Sequence, residues 1–280
     1  MKIVNIEDRF YIEKDVKVED KLEKGVYLLH KNEHSSEHFL QKLNDFNLPE
    51  KIYGDEQKIV DRYLNTFSMS NKNMGVLLTG LKGNGKSLTA KLLSKTSDLP
   101  TILITECYKG VEFKQFLQDL KQEAIILIDE FEKIYTNEDN NQEEFLSILD
   151  GVFENKKLFI FTTNTLDINQ FLKNRPNRIR YLREYDGLEK PIILEIIDDL
   201  LENKSKKKEL IEVLNILSSV SMDVLLHLIQ EMNYYEESAR QAVKHLNIQV
   251  EHTTFDVRLY FNGKLYHSKV NYNPLTSKYI

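Results

Sequence analysis

The sequence predicts an α/β fold, with a mostly parallel sheet flanked by helices, then a small all-helical unit, and short β-rich segments at both ends. Three observations carry this expectation. Between residues 55 and 163 short apolar runs alternate with amphipathic helical patterns. From Leu188 onward helical patterns follow one another without an intervening strand. The last stretch alternates apolar and polar residues around an Asn-Gly pair.

The elements justify themselves in order. Ile59, Val60, Tyr63, Leu64 and Phe67 recur at helical spacing on one face, and Val76-Leu77-Leu78-Thr79 is an apolar run stopped by Gly80. A helix over Ser87 to Ser94, a strand over Thr101 to Thr105, a helix over Glu112 to Leu120 and a strand over Ala124 to Asp129 continue the alternation. Gln142 to Phe153 reads as helix and Leu158 to Thr163 as strand. Continuous apolar strands between helices mean a parallel sheet covered on both faces. Helices are expected over Pro191 to Leu201, Lys207 to Leu217, Met222 to Met232 and Glu236 to Leu246. Phe255 to Phe261 and Lys264 to His267 flank Asn262-Gly263, the pair that suits a type I′ hairpin turn. Val26-Leu29 reads as an isolated strand. The expected divisions are an N-terminal extension at 1–48, an α/β domain at 49–187, a helical lid at 188–250 and a C-terminal hairpin segment at 251–280.

Composition excludes several classes. The chain has 280 residues, 41% of them hydrophobic and 29% charged, so it can bury a core unaided. Its one cysteine, Cys107, cannot form an internal disulfide, which implies a reducing, intracellular setting. The amino terminus has no apolar secretion core, and no apolar run has the roughly 20 residues that span a bilayer. With 38 Lys and Arg against 44 Asp and Glu, the net charge of -6 is the reverse of a nucleic-acid-tracking surface. The run Lys204-Ser205-Lys206-Lys207-Lys208 lacks interleaved aromatics and reads as a solvated turn.

The chemistry sits in two motifs. Gly80-Leu81-Lys82-Gly83-Asn84-Gly85-Lys86-Ser87 fits the P-loop pattern between a strand and a helix. Backbone N–H groups of Gly80, Gly83, Asn84 and Gly85, running on into Ser87 and Leu88, are expected to cradle phosphates at the positive end of the helix dipole. Lys86 is expected to reach the β and γ phosphates, and the Ser87 hydroxyl to bind Mg²⁺. Asp129-Glu130 closes an apolar strand, which delivers Asp129 to the Mg²⁺ shell and Glu130 toward the γ-phosphate as the base for an attacking water. The alternative for Glu130 is an acid capping the next helix.

With these motifs the sequence resembles the AAA+ ATPases over about residues 50 to 250. Leu149-Asp150-Gly151, Thr163-Asn164 and Arg175-Pro176-Asn177-Arg178 sharpen the likeness toward the AAA branch in the narrow sense. The resemblance implies a P-loop NTPase sheet with a helical lid, ATP and Mg²⁺ as cofactors, and a homo-oligomeric ring, in this family a hexamer. It implies Asn164 as sensor 1, and Arg175 and Arg178 as fingers reaching a neighbouring subunit's nucleotide. The alternative for the arginines is pairing with Glu184 or Asp186. Tyr53 and Gly54 fall where the family's adenine-crossing segment lies. Tyr108-Lys109-Gly110 is similar to a substrate-gripping pore loop, the alternative being an aromatic that covers the sheet edge. A sensor 2 arginine is not visible at Ser221-Met222-Asp223, and Arg240 is not assigned that role.

The function implied is an ATP-driven motor that remodels a protein or macromolecular complex, with protein favoured over nucleic acid. The alternative is a nucleic-acid-linked switch such as a helicase loader or clamp loader. The Lys-rich, Trp-free composition is similar to stand-alone AAA ATPases of bacteriophages or low-GC bacteria, which implies the cytoplasm of a bacterium or phage-infected host. His30, His34 and His38 recur every fourth residue but lie in a polar segment without carboxylate or cysteine partners, so no metal site is expected there. Cys107 beside Glu106 is a poor setting for a thiolate nucleophile.

Overall fold

The computed structural model describes residues 2–6, 9–13, 17–32, 37–136, 142, 145, 148–149, 156–165, 178–217, 220–248 and 253–272. Two terminal hairpins bracket an α/β layer and a helical lid. The first hairpin pairs β1 (Lys2–Ile6) with β2 (Arg9–Glu13). Then follow β3 (Gly25–Lys31), β4 (His38–Leu43), α1 (Glu56–Met69), β5 (Met74–Gly80), α2 (Lys86–Thr96), β6 (Pro100–Ile104), α3 (Gly110–Asp119), β7 (Ala124–Ile128), α4 (Phe131–Ile134), β8 (Lys157–Thr163) and β9 (Ile179–Tyr185).

The seven-stranded sheet runs β4-β3-β6-β7-β8-β5-β9. Every neighbouring pair is parallel except β3–β4. Strands β7 and β8 are buried along their whole length, and the strand alternation splits their side chains between two cores. Ile126, Ile128, Phe159 and Phe161 pack with Phe113, Phe131 and Phe145 on one face. Ile125, Leu127, Leu158 and Ile160 pack with Val60, Tyr63, Phe67 and Leu93 on the other. This two-sided burial is why the strands read as unbroken apolar runs.

Two findings go beyond the sequence reading. The isolated run Val26-Leu29 lies in β3, which joins the sheet parallel to β6, with Val26 opposite Thr101 and Leu28 opposite Leu103. The sheet therefore extends across the 48/49 division. The second is β9, an edge strand over residues that carry no apolar run, Ile-Arg-Tyr-Leu-Arg-Glu-Tyr. Of the expected helix from Gln142 to Phe153, Gln142, Phe145, Ile148 and Leu149 are helical and the rest lies outside the described residues. His34 also lies outside them, while His30 is on β3 and His38 on β4.

The lid consists of α5 (Lys190–Leu200), a 3-10 turn at Lys204–Lys206, α6 (Lys207–Leu214), α7 (Met222–Tyr235) and α8 (Ala239–His245). Pro191 sits in the first turn of α5, Ser221 caps α7 by accepting from the Val224 N–H, and Ser238 and Gln241 form a capping box on α8. Their apolar faces meet around Ile196, Leu210, Leu225, Leu228 and Ala242. The final hairpin pairs β10 (Thr253–Phe261) with β11 (Lys264–Tyr272). Asn262 and Gly263 have φ of 48° and 72°, as a type I′ turn requires.

Candidate active site

Strand β5 enters the sheet between β8 and β9, so α2 leads away from a point where the chain reverses its order across the sheet, the usual place for a ligand crevice. The P-loop leaves the carboxyl end of β5 there. Gly80 has a φ of +125°, and a Cβ on it would lie 2.3 Å from the Tyr185 carbonyl oxygen. That close approach lets β9 brace the loop. The same carbonyl accepts from the Leu81 N–H at 3.2 Å and from Asn84 Nδ2 at 3.0 Å. Gly85 turns the chain into α2 with a φ of +94°.

Lys86 is buried, and its ammonium donates to the Gly80 and Leu81 carbonyls, both at 2.7 Å. Burial pushes its pKa down, against the pull of Glu132, Asp129 and Glu130. Ser87 Oγ donates to Asp129 Oδ1 at 2.9 Å, and Thr162 Oγ1 on β8 donates to the same oxygen. Strand β8 lies between β5 and β7, so its carboxyl end completes the site between the P-loop and the acid pair.

Glu130 is in the left-handed region, with φ 54° and ψ 52°, where a non-glycine residue is strained by about 1 to 2 kcal/mol. Its N–H is anchored on Thr162 Oγ1 at 2.9 Å. Its carboxylate accepts from Lys133 and from Asn164 Nδ2, the latter at 3.0 Å. Lys133 first and Asn164 second hold the Glu130 pKa below the usual glutamate range. Asn164 also donates to Glu132 Oε1 through both its side chain and its backbone N–H, each at 3.0 Å. Glu130 thus does not serve as a side-chain cap of α4.

These groups share a cavity of ≈ 380 Å³ lined by Gly83, Gly85, Lys86, Ser87, Leu88, Asp129, Glu130 and Asn164, with Lys82 and Thr162. The lid closes its other side through Met222 and Asp223, whose backbone N–H donates to the Gly83 carbonyl at 3.3 Å. A hydroxyl and a carboxylate oxygen at hydrogen-bond distance form the hard oxygen donor set that suits Mg²⁺.

The fold and the pocket define a P-loop nucleotide-binding domain. Residues 76–185 match the family described as ATPase family associated with various cellular activities (AAA), which places the nucleotide-binding domain of this chain in the AAA+ ATPases. The family is one of ATP-driven enzymes whose members commonly form oligomers. No curated protein matches the chain closely enough to count as a relative. No helix among the described residues is long and apolar enough to cross a membrane.

The remaining expected site residues fall elsewhere. Tyr53 packs against the lid core, with Lys51 Nζ 4.8 Å from its ring centroid. Gly54 abuts Ile192 of α5, and neither residue lines the phosphate cavity. Arg175 lies outside the described residues. Arg178 immediately precedes β9, where its carbonyl oxygen would sit 2.3 Å from a Cβ on Gly75. It is therefore at the opposite end of β5 from Gly80, about 17 Å away at 3.3 Å per residue. Among the nearby arginines, Arg183 pairs with Glu56 at 2.6 Å and Asp55 at 3.5 Å, not with Glu184 or Asp186.

Tyr108 is 5% exposed, donates to the Leu29 carbonyl at 2.9 Å and accepts at its own carbonyl from Tyr135 Oη at 3.0 Å. Burial, then Glu106, pushes its phenol up to about 12. Within one chain its ring packs into the core, beside His38 of β4 and Phe113 of α3. No group of acidic, histidine or cysteine side chains able to hold a metal occurs among the described residues. Three contributors escaped the sequence reading: Thr162, Lys133 and Asp223. The spacing of Lys133 three residues after Glu130, one helical turn on, is a signal that could have found it.

Proposed function

We propose that the chain is an Mg²⁺-dependent ATPase whose hydrolysis drives the remodelling of a protein or macromolecular complex, working as a homo-oligomeric ring. The observation that supports this best is the meeting, in one cavity, of a P-loop lysine and serine with the Asp129-Glu130 pair and Asn164. A fold match alone would indicate nucleotide binding; a carboxylate held beside the P-loop by an asparagine and a lysine supports hydrolysis.

In this reading Lys86 binds the β and γ phosphates, and Ser87 and Asp129 hold Mg²⁺, which supplies positive charge to the phosphate oxygens when bound. Glu130 orients a water and takes its proton. Lys133 and Asn164 hydrogen-bond the Glu130 carboxylate and keep it ionised, which suits it to orient the water. Tyr53 and Gly54, beside α5 of the lid, are suited to flank the adenine ring. Arg178, with Arg175, acts on the nucleotide of a neighbouring copy; its distance from its own P-loop supports action in trans over action in cis.

Glu130→Gln tests the reading. The variant is expected to bind ATP as tightly as the native chain and to lose at least 100-fold in turnover. Native-rate hydrolysis by the variant refutes the assignment of the base.

A further inference from the structure

The β10–β11 hairpin exposes a concentrated apolar tip. Leu259, Tyr260, Phe261, Leu265 and Tyr266 are between 51% and 77% exposed, all within the three cross-strand pairs nearest the turn. Together they present on the order of 600 Å² of side chain, above the few hundred Å² common on a monomer and close to the roughly 800 Å² one partner gives to a stable interface. Pairing places Leu259, Phe261 and Tyr266 on one face and Tyr260 and Leu265 on the other. A tip that is apolar on both faces suits insertion between two walls better than lying on a flat surface. A two-stranded ribbon alone is also marginally stable in water and gains from a covering element.

The same chain carries a matching groove. A cavity of ≈ 740 Å³ opens between α5 and α6 beside the hinge that joins β9 to the lid. Its apolar walls are Ile193 and Leu194 on one helix and Ile211 and Leu214 on the other, with Leu188 from the hinge. Among the described residues its lining at the hinge end holds Glu184, Asp186 and Glu189 with Lys190, while Lys204, Lys207 and Lys208 lie beyond Ile211 on the α6 side. The described hairpin has the opposite balance, with Lys264 at the tip and Arg258 and Lys269 in the stem against Asp256. Within one chain the two features do not meet, since the hairpin tip is exposed.

We infer that the hairpin tip of one copy inserts into the lid-hinge groove of a second copy, Leu259 and Phe261 entering between α5 and α6 while Lys264, on the same face of the ribbon, meets the acidic hinge residues Glu184, Asp186 and Glu189. This rests on the proposed assembly of copies but not on hydrolysis. The groove flanks Tyr185, whose carbonyl holds Leu81 and Asn84 of the P-loop, so an inserted hairpin touches the strand that braces the neighbour's nucleotide site.

The test uses the full chain with Cys107→Ser. One preparation carries Phe261→Cys, a second of distinguishable mass carries Leu194→Cys, and the two are mixed and oxidised while oligomeric state is followed by sedimentation. A disulfide joining the two masses supports the inference. An oligomer without the cross-link overturns the docking mode and leaves the assembly reading intact; a monomer overturns both. A cross-link formed only within a chain carrying both cysteines, independent of concentration, shows cis docking and overturns the inference. Charge reversal supplies a second arm: Lys264→Glu is expected to weaken assembly at least tenfold, and adding Glu189→Lys to restore it. Absence of either effect counts against the pairing.

Discussion

Gly80→Ala probes the brace between β9 and the P-loop. An alanine Cβ there would lie 2.3 Å from the Tyr185 oxygen and 2.8 Å from its carbon and nitrogen, whereas ordinary contact begins at 3.4 Å. Backbone on both sides leaves no side chain to swing aside, so β9 must retreat by roughly 1 Å. Such a shift lengthens the Leu81 and Asn84 bonds, now 3.2 and 3.0 Å, past useful range. Each lost bond costs about 1 kcal/mol, and forcing alanine to a φ of +125° adds about 1 to 2 kcal/mol. The expected total is about 3 to 4 kcal/mol. Gly85→Ala is the control, because its φ is +94° but nothing lies within 4 Å of its Cβ; it should cost only the conformational part, about 1 to 2 kcal/mol. Urea unfolding of the three proteins measures both. If Gly80→Ala falls within 1 kcal/mol of Gly85→Ala, the steric argument is wrong and β9 does not brace the loop.

Asn164→Ala removes the side-chain amide that donates to Glu130 and to Glu132 and leaves the backbone N–H bond to Glu132; turnover should fall about ten- to a hundredfold while ATP affinity stays within threefold, read by steady-state kinetics alongside equilibrium titration. Tyr108→Phe takes away a bond to the buried Leu29 carbonyl and should lower stability by about 1 to 2 kcal/mol with ATP hydrolysis retained; a native Tm with a selective loss of substrate processing would point back to a pore role. Lys157, the first residue of β8, is buried, donates to the Leu120 and Gln122 carbonyls, and has its pKa pushed down to about 8 by burial. The unfolded chain then binds more protons than the fold above that pH. Stability should therefore rise by up to about 3 kcal/mol between pH 8 and the ordinary lysine value, and Lys157→Met should flatten that rise.

Legibility tracked how local the determining physics is. The P-loop, the acid pair and the central strands were readable because glycine placement, a short motif and two-sided burial are all written within a few residues. Strand β9 was not, because an edge strand with one covered side needs no apolar run; Arg180 and Arg183 masked a period-two pattern in which Tyr181 and Tyr185 face the core. Val26-Leu29 was readable as a strand but not as part of the main sheet, since its partner, Thr101 to Leu103, is remote in sequence. In the site, Thr162 was missed for the same reason. A threonine ending an apolar strand has no signature until β8 is found lying between β5 and β7.

The two ends of the β5–β9 strand pair carry unlike halves of the proposed chemistry, with the phosphate cradle after Gly80 and Arg178 beside Gly75. A buried parallel sheet does not fold back on itself, so on the proposed reading one chain is a directional tile that offers a socket at one end and a plug at the other. Tiles of this kind join head to tail, and any open row keeps an unused socket at one terminus and an unused plug at the other. Only closure removes both. On the proposed reading, dilution alone is then a switch: a solitary chain retains its nucleotide pocket yet lacks the arginine that would make it fast, and the cell controls the rate by how many neighbours each copy finds.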